Sequence, residues 1–141
     1  EKMNISEVAE KFDMTPATIR YYEKQGLIPP ITRNSVGVRD FQEEDISWVE
    51  FIKCMRDSGL SIDSLAKYSE LYQQGDATLI ERKKILIEEY QKLLEKQRLI
   101  NGTVARLEAK LENYDQMIQE CEQQIFSNSK EAVSEKVLKE V

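Results

Sequence analysis

Thr15-Pro16-Ala17-Thr18-Ile19-Arg20-Tyr21-Tyr22-Glu23-Lys24-Gln25-Gly26 spells out one short helix with both of its ends. Thr15 is a good N-cap, because its hydroxyl can accept from a free N–H of the first turn. Pro16 then falls at the first helical position, where its missing N–H costs nothing. Gly26 ends the helix, since glycine takes the left-handed conformation that helix ends use. Ile19 and Tyr22 share a face at i, i+3 and read as the core side. Thr18, Arg20, Tyr21 and Lys24 are then left to point outward. Upstream, Ile5, Val8, Ala9 and Phe12 follow the i, i+3, i+4, i+7 spacing of one helix face. Asp13-Met14 makes a tight turn between the two. Two short helices so joined are a helix-turn-helix candidate.

Downstream, Leu27 to Phe41 carries Pro29-Pro30 and Gly37 among β-branched residues, the pattern of an extended loop or small hairpin. Glu43-Glu44-Asp45 open a third helix, over about 43–56, at the end where the helix dipole favours negative charge. Asp57-Ser58-Gly59 breaks it. Ser61 caps a fourth helix that ends near Gly75.

The 141-residue chain has 20 Lys+Arg, 26 Asp+Glu and no His, a net charge of −6. Its acidity argues against an indiscriminate nucleic-acid coat. Residues 15–39 run the other way. Arg20, Lys24, Arg33 and Arg39 stand against Glu23 alone, a local +3 that leaves −9 for the rest. A basic island in an acidic chain is an electrostatic footprint for phosphate. Arg can grip guanine or phosphate, and Tyr and Thr can donate to phosphate. Arg33 and Arg39 flank Asn34-Ser35-Val36-Gly37, so they can straddle a DNA backbone. The competing arrangement is a plain surface helix with an Arg20–Glu23 pair and a solubilising turn.

The chain changes character near residue 76. Residues 3–76 form a compact head, and residues 77–126 form a rod of helix formers with one Gly and no Pro. Leu86, Tyr90, Leu93, Gln97, Ile100, Val104, Leu107, Leu111, Tyr114, Ile118, Cys121 and Ile125 keep strict 4-3 spacing. That is a coiled-coil seam. A helix from Leu79 to Ile125 would be roughly 70 Å long. It needs a partner helix, and a second copy is the simplest source. The spacing leaves parallel and antiparallel pairing open. Ile80, Ile87 and Leu94 make a second row, wide enough to pack on the head. Ser127-Asn128-Ser129 reads as a helix stop. It would leave 127–141 as a short tail in which Val133, Val137 and Val141 keep i+4 spacing.

Several function classes fall away. Without His the chain lacks the commonest general base and metal ligand. Cys54 and Cys121 alone cannot build a four-ligand Cys/His zinc site. No phosphate-cradling Gly-rich loop or carboxylate pair suggests an enzyme, and no metal or cofactor is expected. No apolar run reaches the roughly 18–20 residues of a membrane span. No export signal opens the sequence, so reduced thiols in a cytosol are expected. Cys54 lies in Phe51-Ile52-Lys53-Cys54-Met55-Arg56, late in helix three. Lys53 and Arg56 favour a thiolate there, the helix C-terminal end opposes it, and a small buried hydrophobe is the ordinary role of a free Cys. Cys121 is explained by seam packing.

Thr18-Ile19-Arg20-Tyr21-Tyr22-Glu23, Gly26-Leu27-Ile28-Pro29, Arg33, Gly37-Val38-Arg39-Asp40-Phe41 and Gly59-Leu60-Ser61 together resemble the signature of MerR-type bacterial transcription regulators. The resemblance covers residues 3 to about 125. It implies a mainly α fold, with a winged helix-turn-helix head and a long helix dimerising as an antiparallel coiled coil in the bacterial cytoplasm. It implies a dimer on double-stranded promoter DNA with a pseudo-palindromic operator. The dimer would bend and untwist an over-long spacer for RNA polymerase, which it affects only indirectly. The DNA-facing set is then Thr15, Ala17, Thr18, Arg20, Tyr21, Tyr22, Lys24, Arg33 and Arg39. Val38 and Phe41 stand where the family often has Tyr, and neither side chain can donate a hydrogen bond. Family metal sensors carry cysteines after the dimerisation helix, and family drug sensors append a large domain; neither feature is in this sequence. The segment around Cys54 resembles the NmlR/AdhR-like branch, in which a lone Cys at this place is linked to aldehydes and related electrophiles. The expected function is a promoter-distorting regulator switched by modification of Cys54. The alternatives are an effector-independent repressor and a coiled-coil adaptor that does not bind DNA.

Overall fold

The computed structural model describes residues 2–140, with side chains described as far as residue 130. Five helices follow one another: α1 (Ile5–Lys11), α2 (Pro16–Lys24), α3 (Glu43–Asp57), α4 (Ile62–Gln73) and α5 (Leu79–Glu140), with a 3-10 turn at Asp76–Thr78 before the last. The chain divides into two compact units between Leu94 and Glu95.

In the first unit, each of the first three helices ends in the same device. Asp13, Gly26 and Gly59 take positive φ, and the next residue's N–H returns to the helix. Met14 N–H donates to the Ala9 carbonyl at 2.8 Å, Leu27 N–H to Tyr22 at 2.9 Å and Leu60 N–H to Met55 at 3.0 Å. These paired bonds satisfy carbonyls that a helix end otherwise strands. Asp13, at φ 54°, holds the turn between α1 and α2 without glycine, a conformation Asp tolerates better than most residues. The starts are capped equally well. Asn4 and Glu7 form a reciprocal capping box on α1, at 2.9 and 3.0 Å. Thr15 caps α2 and Ser61 caps α4, as their sequences predict.

The core collects one face from each head element. Val8 and Ala9 come from α1, Ile19 and Tyr22 from α2, Val49 and Ile52 from α3, and Leu65 from α4. Leu27, Ile28, Ile31, Phe41 and Leu60 from the connections fill the rest. Phe41 is wholly buried, and its backbone makes an antiparallel bridge with Met3, at 2.9 and 3.1 Å. Its ring is therefore a core anchor at the base of the wing, whereas Val38 is exposed.

The corner into α5 is a buried polar knot. The Thr78 hydroxyl donates to the Leu71 carbonyl at 2.6 Å, and Arg82 Nε donates to Thr78 Oγ1 at 3.1 Å. The Arg82 guanidinium also lies 5.3 Å from the centre of the Tyr72 ring. This knot sets the rotation of α5, with a consequence for the expected rows. Ile80, Ile87 and Leu94 do not pack on the head; they are 74%, 42% and 44% exposed. Arg82, Leu86, Glu89 and Leu93 are the covered stripe instead, with Leu93 against the head core. Seam residues Leu86 and Leu93 are thus already partly covered within the single chain, while Tyr90 stays exposed.

The second unit is the remainder of α5. Ile100, Val104, Leu107, Leu111, Tyr114 and Ile118 are all exposed along it. The stop expected at Ser127-Asn128-Ser129 is absent, and the helix runs on to Glu140. Ser and Asn cost only about 0.5 kcal/mol each in a helix relative to Ala, and no Gly or Pro follows to end it. The side chains of Val133, Val137 and Val141 lie outside the described residues. No helix among the described residues is long and apolar enough to cross a membrane.

Candidate DNA-contact surface

Helix α2 has two faces of opposite character. Ile19 and Tyr22 point into the core, at 0% and 6% exposure. Ala17, Arg20, Tyr21 and Lys24 are exposed, and their i, i+3, i+4, i+7 spacing makes them one outward face. Of the two adjacent tyrosines, Tyr21 is the one presented outward, at 44% exposure. Burial of the Tyr22 ring, and secondarily the nearby Asp57 charge, pushes its phenol above the ordinary tyrosine pKa. Tyr22, which the family resemblance sets among the DNA contacts, is turned inward instead, because an i+3 step from Ile19 brings its ring into the core.

At the start of α2, the exposed Thr15 and half-exposed Thr18 share a hydroxyl–hydroxyl hydrogen bond of 2.9 Å, and Thr15 Oγ1 accepts the Thr18 N–H at 3.2 Å. Helix α2 thus offers a small, rigid and polar start, then two cations flanking an aromatic ring. Arg20 and Lys24 make no ion pair among the described residues. The alternative Arg20–Glu23 pair does not form, because Glu23 is engaged elsewhere.

That engagement builds the wing. Residues Thr32 to Asp40 fold back through one antiparallel bridge, Arg33 with Arg39. The Asp40 N–H donates to the Thr32 carbonyl at 2.8 Å, and the Asn34 N–H to Val38 at 2.9 Å. Gly37, at φ 86°, turns the tip, and the Asn34 side-chain oxygen accepts from both the Val36 and Val38 N–H groups at 3.1 and 3.0 Å. The Arg33 guanidinium donates to the Gly37 carbonyl at 2.7 Å across the loop. Glu23 then ties the wing to α2. One carboxylate oxygen accepts from Arg39 Nε at 2.9 Å, and the other accepts the Ile31 N–H at 2.6 Å.

Glu23 is the functional residue missed in the sequence. It is a lone acid within a basic island, and the spacing allows Arg20 of the same helix as its partner. Arg39 was expected as a free cation beside DNA. It is instead half-buried and paired, so its first duty is to hold the wing's angle. Thr15, Ala17, Thr18, Arg20, Tyr21, Lys24 and Arg33 do come together with the wing on one unit.

Cys54 is exposed rather than a buried hydrophobe. The two cations expected to serve it are occupied. Lys53 donates to Asp57 at 2.6 Å, a hydrogen bond that raises the lysine pKa, and Arg56 donates to the Leu60 carbonyl at 2.7 Å. Cys121 is also exposed in the single chain.

Residues 3–71 match the family model described as MerR HTH family regulatory protein. The chain is 56% identical over 93 residues to the HTH-type transcriptional regulator AdhR of Bacillus subtilis, and that match spans 66% of each chain, just under two thirds of the relative. A MerR family transcriptional regulator crystallised from Listeria monocytogenes is 38% identical with a TM-score of 0.85, over 92% of this chain and 98% of that one. HiNmlR, a MerR family regulator lacking the sensor domain and crystallised bound to promoter DNA, is 26% identical with a TM-score of 0.75, over 82% of this chain and 92% of that one.

Proposed function

The chain belongs to the MerR family of helix-turn-helix regulators, and we propose that it binds promoter DNA as a homodimer and reshapes the spacer between promoter elements. The observation that carries this is the outward face of α2. Arg20, Tyr21 and Lys24 lie exposed, with both cations unpaired among the described residues, beside a wing clamped by Glu23. A helix face of this kind fits the major groove, and a wing beside it fits the flanking backbone. HiNmlR, similar over most of its length, was crystallised on promoter DNA, which supports the same use here. The exposed row Ile100, Val104, Leu107, Leu111, Tyr114 and Ile118 supports a coiled-coil dimer, and two heads suit a pseudo-palindromic operator. Deformation energy gathered from both half-sites is what untwists the spacer, so RNA polymerase is affected through the DNA. The test is fluorescence anisotropy with operator DNA across a salt series. Arg20→Ala lowers the salt slope by about one unit. An unchanged slope moves the DNA surface elsewhere.

The effector acts at Cys54, whose exposed thiol is open to alkylation by aldehydes and related electrophiles. Alkylation biases two dimer–DNA conformations and changes transcription more than affinity. A full aldehyde response in a Cys54→Ser reporter strain overturns this. A second reading has its own observation. Lys53 and Arg56 are committed to Asp57 and Leu60, so neither is free to activate the thiol. That arrangement favours an effector-independent repressor, whose transcription in vitro would ignore aldehyde altogether.

A further inference from the structure

A cavity of about 260 Å³ opens between α3 and α4, lined by Glu44, Ser47, Trp48, Phe51, Tyr68 and Tyr72. Its walls are aromatic. The Trp48 ring lies 5.0 Å from Tyr72, 5.7 Å from Tyr68 and 6.2 Å from Phe51, and Phe51 lies 6.0 Å from Tyr68. None of these four residues is fully buried. Tyr72 is fixed from two sides, its hydroxyl donating to a Glu44 carboxylate oxygen and its ring carrying the Arg82 guanidinium. The site is thus pre-shaped before anything enters it. The volume is a little below the usual range for small-molecule pockets and suits one ring with a short substituent. Glu44 is the one charged residue of the lining, so a neutral compound is favoured over an anionic one.

The cavity stripe on α3 continues past it. Ser47, Phe51 and Cys54 follow at i, i+4, i+7, which places the exposed Cys54 on the same side of the helix, one turn beyond Phe51. We propose that this cavity binds small, neutral, α,β-unsaturated aromatic aldehydes and holds them one helical turn from the Cys54 thiol. The delivery step rests on the proposed role of Cys54; binding in the cavity does not. In the covalent step the sulfur bonds to the β carbon of the conjugated system and the C=C π bond breaks. The thiol proton ends on the α carbon, so nothing is oxidised and nothing leaves.

Trp48 is the only tryptophan of the chain, so its emission reports on the cavity directly. The binding test uses the Cys54→Ser dimer, which cannot form the adduct at that position. Cinnamaldehyde quenches Trp48 saturably, the unreactive cinnamyl alcohol competes, and the carboxylate analogue cinnamate does not. Tyr68→Ala weakens the quench at least threefold. Absence of a saturable quench overturns the proposal, as does equal binding of cinnamate. Trp48 emission that follows protein concentration but ignores all three compounds also overturns it, because the cavity then belongs to the contact between copies. The delivery test follows adduct mass on Cys54 in the full chain. Tyr68→Ala slows labelling by cinnamaldehyde several-fold and leaves labelling by formaldehyde unchanged. Equal slowing of both overturns delivery. Saturable binding together with selective labelling, but with a Cys54→Ser strain that still responds fully to aldehyde, supports the cavity and refutes the proposed switch.

Discussion

Replacing Glu23 by Gln keeps the side chain's shape and removes its charge, which isolates what the clamp contributes. The carboxylate now accepts two hydrogen bonds, from Arg39 Nε and from the Ile31 N–H. Hydrogen bonds to a charged group are worth about 1.5–3 kcal/mol against roughly 0.5–1.5 kcal/mol for neutral ones. The amide has a single acceptor oxygen and turns an NH2 toward the other donor, so one of the two hydrogen bonds is lost and the other weakened, together about 2 kcal/mol. Arg39 and Glu23 side chains are only 23% and 15% exposed, so solvent screening offsets little of this. A destabilisation of about 2 kcal/mol lowers the melting temperature by roughly 8–16 °C for a head of this size. The wing, no longer tied to α2, must also be ordered when DNA binds. If that costs about 1 kcal/mol, operator affinity falls roughly fivefold. The salt slope should stay constant, since Glu23 touches no phosphate. Calorimetry gives the melting temperature, and anisotropy against salt gives affinity and slope. Arg39→Gln should resemble Glu23→Gln, and the double variant should cost about 1–2 kcal/mol less than the sum of the singles. Additive effects within about 0.5 kcal/mol would refute the clamp.

Two further predictions follow from burial and exposure. Leu111→Glu sets a charge into the exposed apolar row of the second unit and should convert dimer to monomer in sedimentation velocity, with the head's melting little changed; a persistent dimer would move the interface elsewhere. Tyr22 has its phenol pKa raised by burial, so its contribution is fully present below the unfolded value near 10 and is lost as pH rises through the higher folded value. Tyr22→Phe should therefore lose less stability than the parent protein as pH rises above about 10 in chemical denaturation.

Most of the head was legible because its signals are local. Thr15, Pro16 and Gly26 bound α2 through capping and φ preference alone, and those forces act within a few residues of chain. The amphipathic spacing of Ile19 and Tyr22 identified the inner face of α2, although Tyr22 was also retained as a DNA contact. The Asn4-x-x-Glu7 capping box of α1 is equally local. The 127–129 stop failed for a related reason: Ser and Asn are weak helix formers, but a stop needs a residue that cannot continue the helix.

Other features belong to residues far apart in the chain. Glu23 is 16 positions from Arg39 and 8 from Ile31, and nothing in the spacing chooses these partners over Arg20. The rotation of α5 depends on Arg82 reaching Thr78 and on Thr78 reaching Leu71. That is why the 82–86–89–93 stripe, and not Ile80, Ile87 and Leu94, meets the head. The aromatic cavity needs α3 and α4 side by side before Trp48, Phe51, Tyr68 and Tyr72 can share a wall. The sequence by itself determined the helices of the head and their ends, the basic island and the heptad spacing, since propensity, capping and periodicity are properties of neighbouring residues. Only the tertiary structure decided which cations of the head stay unpaired among the described residues, which side of the long helix is covered and where the lone tryptophan sits. Those outcomes depend on packing and pairing between distant segments, where several partners of like chemistry compete and geometry selects one.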